Sequence, residues 1–160
     1  MIILGIDPGT ANTGYGLVKK SKTLECLEYN VIHTTPNSNP GERLKKINNE
    51  LIKVIRKYKP DVLAIENVYF FRNLKTAIPV SQAKGSILLT AAKKGLPVWE
   101  CTPLQVKFAI TGRGRADKKD VQKELKKILK LKEIPKPDHA SDALAIAITY
   151  IFKKTQHKRA

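Results

Sequence analysis

Two apolar runs in this chain each end on a carboxylate. Ile2-Ile3-Leu4-Gly5-Ile6 ends on Asp7, and Val62-Leu63-Ala64-Ile65 ends on Glu66. Short continuous aliphatic runs read as strands buried on both faces, the kind found in the middle of an α/β sheet. An unpaired carboxylate at the end of such a strand carries a desolvation penalty, so an acid there needs a reason. Two such ends lying side by side would press negative charges together at one edge of the sheet. A hard divalent metal between them resolves that conflict.

The charge balance points to the partner. The chain has 30 Lys plus Arg against 14 Asp plus Glu, a formal net charge of +16. Such an excess suits a polyanion, either nucleic acid or an anionic membrane surface. Heat-stable proteins with lysine-rich surfaces usually balance Lys with Glu, whereas acids are scarce in this chain, which favours nucleic acid. No apolar stretch is long enough to span a bilayer, and the N-terminus lacks the basic start and cleavage site of a signal peptide. Cys26 and Cys101 read as free thiols in a reducing compartment, so a cytoplasmic location is expected.

At 160 residues the chain is long enough for one real core, mostly aliphatic because aromatics make up only 6%. The pattern predicts strands over residues 2–7, 14–18 and 24–33, opening as an antiparallel meander. Leu44, Ile47, Leu51, Val54 and Ile55 recur at helical spacing between Pro40 and Tyr58. A buried strand over 61–66 follows. A helix running to about Lys94 should then kink or start late at Pro79. A short strand over 98–101 and a short helix over 103–110 come next. Further helices are expected over 117–131 and 138–152. The expectation is a single domain over 1–153 and a frayed basic tail over 154–160. The fold class is α/β, a five-stranded mixed sheet with helices on both faces.

The other chemistry-bearing residues fit the acid-tipped strands. His139 and Asp142 stand three apart and share one face of a helical turn, in a helix otherwise apolar from Ala143 to Ile148. Asp138, after Pro137, reads most simply as an N-cap. The helix N-terminus itself also favours a carboxylate at Asp142. Asp7, Glu66, Asp142 and His139 would together suit two Mg²⁺ or Mn²⁺ ions about 3.5–4 Å apart. Zinc-type His/Cys spacing, a phosphate loop and a Ser–His–acid set are all absent. Lys107, Arg113, Arg115 and Lys118 flank or lie in a glycine-containing loop able to grip phosphates without reading sequence. Lys119, Lys123, Lys126 and Lys127 read as an ordinary solvated helix surface. Tyr69, Phe70 and Phe71, followed by Arg72, either join the core or stack on an unpaired base.

Five blocks carry a family likeness. Ile3-Leu4-Gly5-Ile6-Asp7-Pro8-Gly9-Thr10, Ala64-Ile65-Glu66-Asn67-Val68-Tyr69-Phe70, Pro103-Leu104-Gln105-Val106-Lys107, the stretch from Gly112 to Gln122, and Asp142-Ala143-Leu144-Ala145-Ile146-Ala147 resemble RuvC, the bacterial Holliday-junction resolvase. The resemblance implies a ribonuclease-H-like fold and a homodimer. It also implies Mg²⁺-dependent paired nicking of four-way junction DNA, and work alongside a RuvA–RuvB branch-migration complex. By position it implies Asp7, Glu66 and Asp142 as metal carboxylates, Lys107 and Lys118 as basic active-site residues, and Tyr69 as the base-stacking aromatic. Many members carry Asp three residues before the final Asp. This chain has His139 there, as some members do, so the resemblance gives His139 that role as ligand, base or orienting group. The dimer contact would fall on the helix from about Pro79 to Lys94, which offers Ala83, Gly85, Ile87, Leu88 and Ala91.

Three other readings compete. An actin-like or sugar-kinase ATPase also opens on an Asp-x-Gly-Thr turn, but needs a second domain and a second phosphate loop. A junction-binding module without catalysis would not need all the carboxylates. A resolvase-like nuclease acting on RNA would share the acids but has less use for the aromatic and basic loops.

Overall fold

The computed structural model describes residues 1–67 and 74–157. The strands are β1 (Ile2–Asp7), β2 (Asn12–Lys20), β3 (Leu24–His33), β4 (Val62–Glu66) and β5 (Val98–Cys101). The helices are α1 (Pro40–Tyr58), α2 (Leu74–Lys93), α3 (Pro103–Thr111), α4 (Lys118–Ile128) and α5 (Asp138–His157). One five-stranded sheet has the order β3-β2-β1-β4-β5. β1 to β3 form the antiparallel meander, and β4 and β5 add in parallel on the other side of β1. This mixed order, with helices on both faces, is the ribonuclease-H-like arrangement.

Strand alternation divides the core in two. Leu4, Ile6, Leu63 and Ile65 point to the face covered by α1 and α2, where Ile47, Leu51, Ala83 and Ile87 are buried. Ile3, Val62 and Ala64 point to the opposite face, against Val106 of α3, Val121 and Leu125 of α4, and Leu144 to Ile148 of α5. Both inner strands are buried on both sides, which is why they read as unbroken aliphatic runs.

Capping sets several of the boundaries. The Asn39 side chain accepts from Glu42 N at 2.9 Å to open α1. Thr102 and Gln105 form a reciprocal capping box at α3. Asp117 accepts from Asp120 N at 2.8 Å to open α4.

Three expectations shift. Of the kink or late start expected at Pro79, the late start is excluded: α2 begins at Leu74, with the proline inside it. One missing N–H near the start of the helix is outweighed by burial of Ala83, Ile87 and Ala91 along its inner stripe. α5 runs to His157 rather than Phe152, carrying the helix through most of the basic segment expected to fray. Asp138 is not the N-cap of α5: the carbonyl of Pro137 accepts from the N–H groups of Ala140 and Ser141, leaving the Asp138 carboxylate free for other partners. Among the described residues, no helix is long and apolar enough to cross a membrane.

Candidate active site

The register of the sheet brings the two acid-tipped strands together. β1 and β4 run parallel, pairing Ile3 with Val62 through to Ile6 with Ile65. One step further sets Asp7 beside Glu66. Alternation then turns both carboxylates toward the face that α5 covers, the face of Ile3, Ala64 and Gly5.

α5 reaches these carboxylates because two glycines let its backbone touch the sheet. A Cβ on Gly5 would lie 2.0 Å from the carbonyl oxygen of Ala143, and one on Gly14 would lie 2.0 Å from that of His139. Any side chain at either position would push the start of α5 away from the strands. Sequence reasoning missed both residues, although a glycine inside an aliphatic strand is itself a signal of close backbone approach.

The first turns of α5 therefore sit over the strand ends. His139 Nδ1 lies 2.7 Å from Asp7 Oδ2, joining residues 132 positions apart. Asp142 accepts from Lys118 Nζ at 2.9 Å, and Lys118 also pairs with Asp138 at 3.3 Å. Asp138, expected only as a cap, is thus part of this ionic cluster, held on its other oxygen by Gln122 Nε2 at 3.0 Å. Glu66, Lys107, Lys118 and Asp142 line one cavity of about 210 Å³, floored by Val106, Val121 and Ala145.

The electrostatics show a site short of positive charge. Burial and the nearby charges of Asp7 and Asp142 push the Glu66 carboxyl up to about 7, against an opposing pull from Lys118. Asp142 is also raised, first by burial, although Lys118 pulls it down. His139 is raised, chiefly by its hydrogen bond to Asp7. Burial lowers the affinity of Lys118 for its proton, but Asp142 and Asp138 outweigh it and leave the group raised. Lys118 thus acts as an internal counter-charge for an excess of carboxylate, and His139 hydrogen-bonds Asp7 beside it. The donors are hard oxygens, the kind a divalent magnesium-like ion takes. Among the described residues, no three of these acids and histidines are already drawn close enough to hold an ion.

The remaining expected residues fall outside this cluster. Arg113 and Arg115 are exposed on the turn between α3 and α4, and Arg113 Nη2 pairs with Asp120 at 3.2 Å. Lys127 pairs with Glu124 on the outer surface of α4, consistent with an ordinary solvated face. Tyr69, Phe70, Phe71 and Arg72 lie outside the described residues.

Comparison with known proteins gives the family and the fold. The family model described as crossover junction endodeoxyribonuclease RuvC matches residues 3–150. The chain belongs to the RuvC family. A RuvC relative from Pelotomaculum thermopropionicum, named crossover junction endodeoxyribonuclease, is 45% identical over 160 residues, covering 99% of this chain and 98% of the relative. The solved Thermus thermophilus RuvC structure is 36% identical, with a TM-score of 0.90 over 98% of this chain and 97% of that one. The same protein in complex with a Holliday junction substrate gives a TM-score of 0.92, at 36% identity and with coverage of 98% and 96%.

Proposed function

We infer that this chain is a Holliday-junction resolvase, an endonuclease that nicks paired strands of four-way DNA junctions in recombination and repair. The observation that carries this reading is the convergence of Asp7, Glu66 and Asp142 at one end of the sheet, in a chain of the RuvC family. Asp7, Glu66, His139 and Asp142 would hold Mg²⁺, or Mn²⁺ in its place, at two ions per subunit; the chemistry supplied there is activation of a water and charge relief on the leaving oxygen.

The chain's own groups do the rest. Lys107, in the wall of the cavity, sets a positive charge where charge develops on the phosphate. Lys118 holds Asp142 and Asp138 in position, and its ammonium can turn from them to a phosphate. His139 keeps Asp7 oriented through Nδ1 and holds a proton at that atom. Arg113 and Arg115 grip phosphates beyond the cavity, which makes binding salt-dependent rather than sequence-dependent. Tyr69, Phe70 and Arg72, on the segment that follows Glu66, meet an unpaired base at the branch point. The nuclease unit spans residues 1–153. It acts as a homodimer in the cytoplasm, alongside a RuvA–RuvB complex, because a two-fold pair of sites matches a two-fold junction.

The test is incubation of the protein with a labelled four-way junction and with a linear duplex, with and without Mg²⁺. Paired nicks confined to the junction, and only with metal, are expected. Asp7→Asn should abolish nicking while junction binding persists. Metal-independent nicking, or survival of nicking in that variant, overturns the reading. Binding without nicking by the wild-type chain would favour the non-catalytic junction-binding alternative, and preferential cleavage of a branched RNA would favour the RNA nuclease.

A further inference from the structure

Behind Glu66, on the opposite face of the sheet, lies an ionic clamp whose lysine is largely covered and whose glutamate reaches solvent. Lys84 projects from α2 with its side chain only 14% exposed. Its Nζ donates to Asn67 Oδ1 at 2.6 Å and to Glu100 Oε2 at 2.5 Å. Asn67 is the residue after Glu66, and its backbone N–H donates to the carbonyl of Cys101 at 2.8 Å. Glu100 stands opposite Ile65 in the β4–β5 register, so its side chain shares the α2 face with Ile65. One ammonium thus ties a helix, the first residue beyond β4, and the edge strand β5.

This matters because a strand end is where ladder hydrogen bonds run out and backbone frays. β4 ends on Glu66, so its carboxylate is aimed from the least supported position of the strand. Glu66 and Asn67 point to opposite faces. Holding Asn67 from below therefore fixes the plane from which Glu66 points upward, without touching the cavity. A long charged side chain drawn this far from water keeps that place only when its hydrogen bonds are made, and Asn67 and Glu100 supply its two acceptors.

We propose that Lys84 is a positioning residue for catalysis, locking the β4 exit so that Glu66 holds its catalytic direction. The inference rests on the nuclease reading above. Its mechanism is geometric, since a displacement of about 1 Å at a reacting group can lower a rate by about 100-fold.

The experiment compares the full-length wild type with Lys84→Met, Lys84→Arg and Glu100→Gln. Three quantities are read: the single-turnover rate of junction cleavage at saturating protein, the junction Kd without metal, and amide hydrogen exchange at Asn67. Lys84→Met should slow single-turnover cleavage by about tenfold or more, leave Kd within about twofold, and speed exchange at Asn67. Lys84→Arg, able to span the same two acceptors, should recover most of the rate. Glu100→Gln removes charge from a partly exposed partner and should fall between them, which carries the test if Lys84→Met fails to fold. A Lys84→Met rate equal to wild type, an equal loss of rate and affinity, or an Arg variant no better than Met would overturn the proposal. A wild type that never cleaves junctions would instead sink the nuclease reading, while Asn67 exchange would still report on the clamp.

Discussion

The two faces of the sheet are packed by opposite rules. On the α1/α2 face, large aliphatic side chains such as Leu4, Ile6, Leu63 and Ile65 meet Ile47, Leu51 and Ile87, holding the helices at ordinary side-chain distance. On the α5 face, Gly5 and Gly14 let helix backbone rest against strand backbone. The glutamates on the two sides differ in the same way. Glu28 accepts from Tyr15 at 2.7 Å and Lys57 at 2.8 Å, and also from Tyr58, and its carboxyl falls to about 2, chiefly through the Lys57 and Tyr58 hydrogen bonds. Glu66, buried beside other acids, rises to about 7. One region satisfies its charge internally and is built for stability. The other leaves negative charge in excess and brings a helix unusually near, at the expense of stability.

The strongest way to break this contrast is to place a side chain where backbone now touches backbone. Gly14→Ala would drive a Cβ into the His139 carbonyl, shifting His139 and Asp142 relative to Asp7. A rate loss of about 100-fold is expected under single-turnover conditions. The matching change on the other face, Leu51→Ala, should lower unfolding free energy by about 2–5 kcal/mol in denaturant melts. Cleavage per folded molecule should stay near wild type in that variant. If the two substitutions had similar effects on rate, the division of labour between the faces would be wrong.

The pH dependence of metal-free stability sharpens the comparison. Folding raises the Glu66 pKa from 4.5 to about 7, so the folded chain binds more protons across that window, and stability should fall as pH rises through it. Glu66→Gln should flatten this limb. Folding lowers the Glu28 pKa from 4.5 to about 2, so its contribution is present above 4.5 and is lost as pH falls toward 2. Glu28→Gln should weaken acid loss over that lower range alone. Thermal melts from pH 2 to 8 check both slopes. A smaller effect is expected at Ser141, whose buried hydroxyl has no hydrogen-bond partner among the described residues. Ser141→Ala should stabilise the fold by about 1 kcal/mol in the same melts.

Much of this architecture is legible in the chain itself. The aliphatic runs ending on Asp7 and Glu66 announce central strands, and the spacing of Leu44, Ile47, Leu51, Val54 and Ile55 announces α1, because burial imposes a period that composition records directly. Asp138 misleads because Asp after Pro is common capping chemistry, whereas its carboxylate is claimed by Lys118 and Gln122 from a different helix. Pro79 misleads because its local penalty is visible while the burial that outweighs it is tertiary. Gly5 and Gly14 look like weak points in strands until the helix that needs them is in place.

Local chemistry and periodicity, then, are properties of the chain as written: which residues bear charge, which runs bury themselves, and where a carboxylate sits at the end of each central strand. Convergence is different. That His139 meets Asp7 across 132 positions, that Lys118 divides itself between Asp138 and Asp142, and that Lys84 joins Asn67 to Glu100 all depend on parallel register and helix approach. Those arise from non-local packing, whose free energy is shared among many weak contacts, so no short stretch of sequence records them.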